Sequence, residues 1–256
     1  MTDRTPPQHG PERPAGAPLA LAVISGGTGN PSSSRLLADR LTEKTAELIR
    51  GRGRDVTIDN VELAPIAVDI AQAVVTGFPG ERLRTVIRRL AAADGLITVS
   101  PVYTAGVSGL FKSFFDILDN DLLVAKPALP AATAGSARHA LVVDGQLRPM
   151  LAFLRALAVP TSVFAAPEDW GSSALGERIG RAATELTALM TTGVGAAIAG
   201  DAWSGYQHRF GGEATRAERT AADVDFESPL MRLAAGGAPS RRDSGACTAP
   251  PPRPPT

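Results

Sequence analysis

An apolar run passes directly into a loop of glycines and hydroxyls in Leu19-Ala20-Leu21-Ala22-Val23-Ile24-Ser25-Gly26-Gly27-Thr28-Gly29-Asn30-Pro31-Ser32-Ser33-Ser34-Arg35. Residues 19–24 have no polar face, which is typical of a strand that is buried on both sides. Beyond the loop, apolar residues recur at helical spacing, which predicts a helix over residues 33–50. A buried strand that enters a helix through such a loop is the opening unit of a parallel α/β sheet.

Strands and helices alternate along the rest of the chain. Strands are predicted over residues 19–24, 55–59, 95–100, 127–134 and 161–165. Helices are predicted over residues 33–50, 110–118, 148–157 and 173–192 and after Pro79-Gly80, with a loop around Ala64-Pro65. Right-handed crossovers between these units predict a three-layer, doubly wound α/β fold with a parallel five-stranded sheet in the order 2-1-3-4-5. In that order a ligand binds at the carboxyl ends of strands 1 and 3.

The two ends of the chain differ in composition from its middle. Residues 1–18 contain five prolines and few apolar side chains, and residues 237–256 are rich in Pro, Ser and Arg. Neither segment can bury enough apolar surface to offset the entropy of ordering. We therefore predict a disordered leader over residues 1–18, one folded domain over 19–200, a partly ordered extension over 201–236 and a disordered tail over 237–256.

Charge and composition exclude several classes of function. The 26 basic residues balance 26 acidic ones and no basic run alternates with aromatics, so nucleic acid is not an expected partner. No apolar stretch reaches the ~18 residues of a membrane span, and the N-terminus lacks the pattern of a secretory signal. The single cysteine, Cys247, excludes an intrachain disulfide. An intracellular, cytoplasmic protein is predicted.

The sequence also lacks the motifs of metal and nucleophilic catalysis. Of the three histidines, His9 lies in the predicted disordered leader and His208 is isolated, so the sequence offers no ligands for a metal cluster. No Gly-x-Ser-x-Gly elbow is present, and no Gly-Lys-Ser/Thr or Gly-x-Gly-x-x-Gly follows the first strand. The sequence therefore shows neither a catalytic triad nor a metal cluster.

Hydroxyl side chains surround the glycines of the first loop. The candidate binding residues there are Ser25, Gly27, Thr28, Ser32, Ser33 and Ser34. Glycines let a ligand approach the backbone, and the N-terminus of the following helix favours a phosphate. Serine before a helix is also common as an ordinary cap, so the loop alone leaves both interpretations open.

A second and a third loop follow the third and fourth predicted strands. Pro101-Val102-Tyr103-Thr104 is expected to form a turn that offers backbone amides and an aromatic face, although Tyr103 could equally pack on the surface. Ala134-Gly135-Ser136 provides small residues that allow a flat ring to approach the backbone. The nearby His139 is a candidate acid or a structural histidine. A ligand with a phosphate at one end and a planar ring at the other would use all three loops, which indicates flavin mononucleotide (FMN).

Taken together, the three loops resemble those of the NAD(P)H-dependent FMN reductases of flavodoxin-like fold, in particular the reductase components that supply two-component monooxygenases. The likeness covers about residues 19–192. It is carried by Ser25-Gly26-Gly27 with Pro31-Ser32-Ser33-Ser34, by Pro101-Val102-Tyr103 with Ser108-Gly109-Leu110-Phe111-Lys112, and by Ala134-Gly135-Ser136-Ala137-Arg138-His139 with Leu147-Arg148-Pro149.

The resemblance implies an enzyme that moves a hydride from NADPH or NADH to FMN, and a homodimer or homotetramer that serves a partner monooxygenase. It implies that Ser25, Ser32 and Ser34 hold the phosphate and that the second and third loops flank the isoalloxazine. Gly29 stands where many members have an arginine, so phosphate binding is expected to depend on the backbone and on Arg35. Val107 stands where some members have a tyrosine.

Three other functions remain open on the same fold. The first is an FMN-bound reductase of quinones, azo dyes or metal oxyanions. The second is a flavodoxin-like electron carrier, which the balanced charge disfavours because flavodoxins are usually strongly acidic. The third is a ligand-binding regulator without activity toward NAD(P)H.

Overall fold

A computed structural model describes residues 16–203, with side chains up to residue 199. Its strands are β1 (Leu19–Ser25), β2 (Val56–Glu62), β3 (Gly95–Tyr103), β4 (Gly106–Val107), β5 (Pro127–Thr133), β6 (Leu157–Ala158) and β7 (Val163–Ala165). Its helices are α1 (Ser33–Gly51), α2 (Ala67–Thr76), α3 (Glu81–Ala92), α4 (Gly109–Asp116), α5 (Arg148–Phe153), α6 (Ser173–Thr192) and α7 (Val194–Trp203). Most of the predicted leader and extension, and all of the predicted tail, lie outside the described residues.

The sheet is parallel along its main path, in the order β2-β1-β3-β5-β6. This confirms the predicted α/β class and parallel sheet, but the sheet is not exactly the predicted one of five strands in the order 2-1-3-4-5. The described residues form seven strands, because β4 adds an antiparallel partner to β3 and two short strands, β6 and β7, both pair with β5 in place of a single fifth strand.

The split between β6 and β7 has a local cause at Pro160. Proline has no N–H with which to continue a ladder of backbone hydrogen bonds. The Arg148 guanidinium also binds the carbonyl oxygens of Val159 and Pro160 at 2.8 and 3.0 Å. The carbonyls of this segment therefore bond to a side chain instead of extending the edge strand.

Helices cover both faces of the sheet, which gives the predicted three layers. Helices α1 and α6 contribute Leu37 and Leu186 to the core of one face. Helices α2 to α5 cover the other face, where Phe111, Phe114 and Phe115 are at most 2% exposed. The three rings recur at helical spacing, so one face of α4 is buried against the sheet.

Helix boundaries agree with the sequence where the apolar pattern is long. Helix α6 spans the predicted residues 173–192, and α1 begins at Ser33 as predicted. Helix α5 stops at Phe153, four residues before its predicted end, because Arg155 has a positive φ of 60° and Leu157 already belongs to β6. No described helix is long and apolar enough to cross a membrane.

Candidate functional site

A cleft of about 150 Å³ lies at the carboxyl ends of β1, β3 and β5. It is lined by Gly27, Thr28, Gly29, Pro31, Ser32, Ser33, Ser34, Pro101, Val102, Tyr103, Thr133, Ala134 and Gly135. The three loops that the sequence singles out therefore meet at one place. This is the edge at which ligands bind in open α/β sheets.

The first loop leads into α1 through a capped helix start. The Ser32 side-chain oxygen accepts a hydrogen bond from the backbone N–H of Arg35 at 3.2 Å, which makes Ser32 the N-cap. The alternative of an ordinary helix cap is thus realised at Ser32. The Ser32 cap is compatible with anion binding, because the first turn of a helix has more N–H donors than one cap can satisfy.

Gly27 shows that the loop is shaped as an open cradle. A Cβ atom at this position would lie 2.1 Å from Ser32 Oγ and 3.1 Å from Ser34 Cβ. Only glycine fits without displacing the two serines, because contacts of that length are not tolerated. The donor set around the cradle consists of hydroxyls and backbone amides, which suits a phosphate monoester.

A contact with β5 holds the buried side of the loop. The Ser34 hydroxyl is buried and lies 2.8 Å from Thr133 Oγ1, while the exposed Ser33 hydroxyl donates to the same atom at 3.4 Å. Thr133 is absent from the residues predicted to bind, although it opens the third loop. Its role can be recognised only when the ends of β1 and β5 are known to face each other.

The second loop differs from the predicted turn. Pro101, Val102 and Tyr103 continue β3, and the turn itself consists of Thr104 and Ala105, which have φ angles of 49° and 61°. Two positive φ angles between Tyr103 and Gly106 make this a two-residue hairpin of the type I′ class. The prediction of a turn that begins at Pro101 is wrong, because Pro101 pairs with Thr133 of β5 and the antiparallel partner β4 extends the pairing over Val102 and Tyr103. Of the predicted residues only Thr104 lies in the turn.

Two serines anchor the base of this hairpin. The backbone N–H of Ser108 donates to Ser100 Oγ and to the Pro101 carbonyl oxygen, both at 3.1 Å. Ser108 Oγ in turn accepts from the N–H of Phe111 at 3.1 Å and caps α4. The hairpin and α4 therefore start from one buried group of hydrogen bonds.

One hydrogen bond joins the first loop to the hairpin. Thr28 Oγ1 and the Tyr103 hydroxyl are 3.1 Å apart. Tyr103 is 50% exposed, so its ring is accessible beside the cleft. The surface-packed alternative for Tyr103 is therefore only partly realised, since its hydroxyl is tied to the first loop.

Arg35 does not line the cleft. Its guanidinium pairs with Asp39 at 2.7 Å and with Glu62. The hydrogen bond to the Asp39 carboxylate raises the pKa of Arg35 above its usual value, and Glu62 adds to this effect. The two carboxylates already bind this cation, so the structure does not direct it toward a phosphate in the cleft.

Three predicted residues lie outside the lining. Ser25 is buried at the end of β1, Thr104 is in the exposed hairpin turn, and Ser136 follows Gly135 in the third loop. After Ser136, residues Ala137–His139 form one 3-10 turn in which His139 is half-buried. No group of His, Cys, Asp and Glu that could hold a metal ion is found in the described part of the chain.

Comparison with known proteins identifies the family. Residues 19–171 match the family described as NADPH-dependent FMN reductase. The chain belongs to this family. The matched region of this FMN reductase homologue includes all three loops of the cleft. The match confirms the predicted family, its oxidoreductase class and its use of FMN and NAD(P)H.

Individual relatives agree with the family match. NADH-dependent FMN reductase SfnE of Pseudomonas putida is 37% identical over 177 residues, which are 67% of this chain and 92% of that protein. FMN reductase (NADPH) of Pseudomonas aeruginosa is 36% identical over 60% of this chain and 80% of its own length. A crystal structure of an oxidoreductase from Corynebacterium diphtheriae has a TM-score of 0.67 at 44% identity, over 68% of this chain and 98% of that one.

Proposed function

We propose that this protein transfers a hydride from NADPH or NADH to FMN, which binds in the cleft, and that it passes the reduced flavin to a partner monooxygenase. The observation that carries the proposal is the convergence of the three loops on one cleft at the carboxyl edge of the sheet. The family match supports the reaction, and the residue types of the lining support the choice of ligand.

The serine loop is suited to the phosphate end of FMN. Ser33 is exposed at the first turn of α1, where the helix dipole favours an anion. None of the lining residues in the described chain is Lys or Arg. Binding would therefore depend on neutral donors, which is consistent with a flavin that exchanges as a substrate.

The hairpin and the third loop are suited to the ring end. Pro101, Val102 and Tyr103 offer an apolar and aromatic wall, and Gly135 offers unobstructed backbone. When bound, FMN supplies the ring that accepts the hydride, so the protein needs only to bind and orient the two nucleotides. No side chain of the cleft is required to act as an acid or a base.

A homodimer or homotetramer is part of the proposal. A groove of about 640 Å³ lies between α4 and α5, and it is lined by Phe115, Met150 and Phe153 among other residues. Phe153 is 69% exposed. The ion pair of Lys112 with Asp116 also lines the groove, and a two-fold axis that passes between these two residues would place each charge near the opposite charge of a second copy.

Anaerobic mixing tests the reaction. Purified protein with FMN and either NADPH or NADH should abolish the visible absorption of oxidised flavin, at a rate that saturates with the concentration of free FMN. Kinetics with FMN as a second substrate would support the flavin reductase. Saturation with a quinone or azo dye while FMN stays bound would support the alternative acceptor, and an absence of bleaching with both nicotinamides would refute the proposal.

A further inference from the structure

We propose that Gln146 is a positioning residue, which clamps the hairpin of β3 and β4 and thereby fixes Tyr103 at the edge of the FMN cleft. The functional meaning of Tyr103 rests on the proposed function. The clamp itself rests on contacts that the chain makes without any ligand.

The hairpin needs support from outside. Its ladder has only two residue pairs, Val102 with Val107 and Tyr103 with Gly106. Its turn places two side-chain-bearing residues, Thr104 and Ala105, in the left-handed region, which is unfavourable for residues that carry a Cβ atom. Short two-stranded hairpins are marginal even without such strain. Ser100 and Ser108 hold the base of the hairpin, so the turn at its far end is the part that a further contact would stabilise.

The Gln146 side chain provides that interaction through both ends of its amide. Its Oε1 accepts a hydrogen bond from the Val107 N–H at 3.0 Å, and its Nε2 donates to the Ala105 carbonyl oxygen at 3.3 Å. These two backbone groups lie on either side of Gly106. A Cβ atom on Gly106 would be 3.2 Å from Gln146 Oε1, so glycine leaves room for the amide.

Gln146 is itself held by a fixed segment. It lies in a π-helical turn, Val143–Leu147, a wide turn of a kind that is rare and often found at functional sites. The Asp144 carboxylate of this turn accepts a hydrogen bond from Ser162 Oγ at 2.6 Å and pairs with Arg148 at 3.2 Å. The hydrogen bond from Ser162 lowers the pKa of Asp144, so the carboxylate is ionised at neutral pH.

The clamp connects to the cleft through one side chain. Tyr103 is the last residue of β3 before the turn, and its hydroxyl lies 3.1 Å from Thr28 Oγ1 in the first loop. Movement of the hairpin would therefore shift the wall of the proposed ring site and break its link to the first loop. Gln146 would act on flavin through Tyr103 and need not touch it.

Amide hydrogen exchange of the FMN-free protein tests the clamp directly. Gln146→Leu removes both hydrogen bonds, and exchange of the Val107 amide should accelerate about tenfold, as expected for the loss of roughly 1.5 kcal/mol. Gln146→Glu keeps the acceptor for Val107 but places a carboxylate oxygen near the Ala105 carbonyl, so an intermediate acceleration is expected. Gln72→Leu, the same change at an exposed position of α2, should leave Val107 unchanged.

A titration with FMN tests the consequence. Gln146→Leu should raise the Kd for FMN about fivefold or more and reduce the quenching of flavin fluorescence, while the melting temperature falls by only about 3–6 °C, so that the variant remains folded during the titration. Unchanged Val107 exchange would overturn the clamp, whether or not FMN binds. Faster exchange with unchanged FMN affinity and quenching would overturn the positioning role. If the parent protein does not bind FMN, the proposed function is wrong, but the exchange rates still show whether Gln146 holds the hairpin.

Discussion

Ser32 has two roles, as the cap of α1 and as part of the lining of the cleft, and two different measurements on one substitution can distinguish them. It caps α1 and lines the cleft, whereas Ser172 caps α6 in the same way, by accepting from the Ala174 N–H at 3.1 Å, and does not line the cleft. Ser32→Ala should lower the free energy of unfolding by about 1 kcal/mol through loss of the cap. It should also weaken FMN binding about tenfold or more, because a hydrogen bond to a charged group is lost. Chemical denaturation and fluorescence titration measure the two effects.

Ser172→Ala is the matched control for this prediction. It should show the same loss of stability with no change in FMN affinity, because it removes an equivalent cap at another helix. Equal FMN affinities for Ser32→Ala and the parent would contradict the phosphate assignment. The neighbouring Ser34 is less suited to this test, since its buried hydroxyl already bonds to Thr133 and its loss would disturb the packing of the loop.

Among the elements, those with a long apolar pattern are predictable from the sequence. Helix α6 has buried residues along its whole length, and β1 and β5 are continuous apolar runs. Helix α2 is missed because only Ile70 and Ala73 are buried while Val68 and Val75 are more than 80% exposed. A helix is recognised in a sequence by apolar residues on one face and polar residues on the other, and apolar residues on the exposed face remove this difference.

The elements around the cleft are predictable only in part. The order of the loops and their meeting at one sheet edge follow from the parallel topology. The hairpin of β3 and β4 does not, because two left-handed residues without glycine or asparagine give no turn signal. Contacts such as Thr133 with Ser34 and Gln146 with Val107 join segments that are far apart in the chain, so no local pattern indicates them.

The junction of α3 with β5 gives a prediction about pH. Lys126 begins the approach to β5, and its ammonium donates to the carbonyl oxygens of Ala91, at 3.1 Å, and Ala93 at the end of α3. Burial lowers the pKa of Lys126 from 10.5 to about 8, and nearby Asp94 opposes this shift. Between these values the unfolded chain binds more protons than the folded one. Stability should therefore rise as the pH increases from 8 to 10.5, by at most about 3 kcal/mol.

Urea denaturation across this pH range measures the effect. Lys126→Met should remove the rise, so that the difference in unfolding free energy between parent and variant changes with pH above 8. Lys44→Met is the control, because Lys44 is only partly buried and pairs with Glu47 on the surface of α1. A parallel pH profile for the parent and Lys126→Met would show that Lys126 titrates at its ordinary pKa.

For the molecule as a whole, the groove between α4 and α5 is an apolar feature of the described surface that lies outside the proposed FMN cleft. Phe153 is 69% exposed, which is unusual for a side chain of this size in a groove that Phe115, Met150 and Leu154 also line. The groove also shares Val107 and Gln146 with the hairpin clamp. A second copy in the groove would therefore contact the segment that supports Tyr103.

Phe153→Asp tests this assembly. In an isologous interface the substitution appears twice, so it would bury two uncompensated charges in an apolar contact and shift the protein to monomers. Sedimentation velocity at several protein concentrations measures the change. Leu36→Asp places the same charge on α1, on the opposite face of the sheet, and should leave the association unchanged. If the interface also stabilises the hairpin, Phe153→Asp should weaken FMN binding in parallel with dissociation. A Phe153→Asp variant that stays associated would rule out this groove as the subunit contact, and so would a monomeric parent protein.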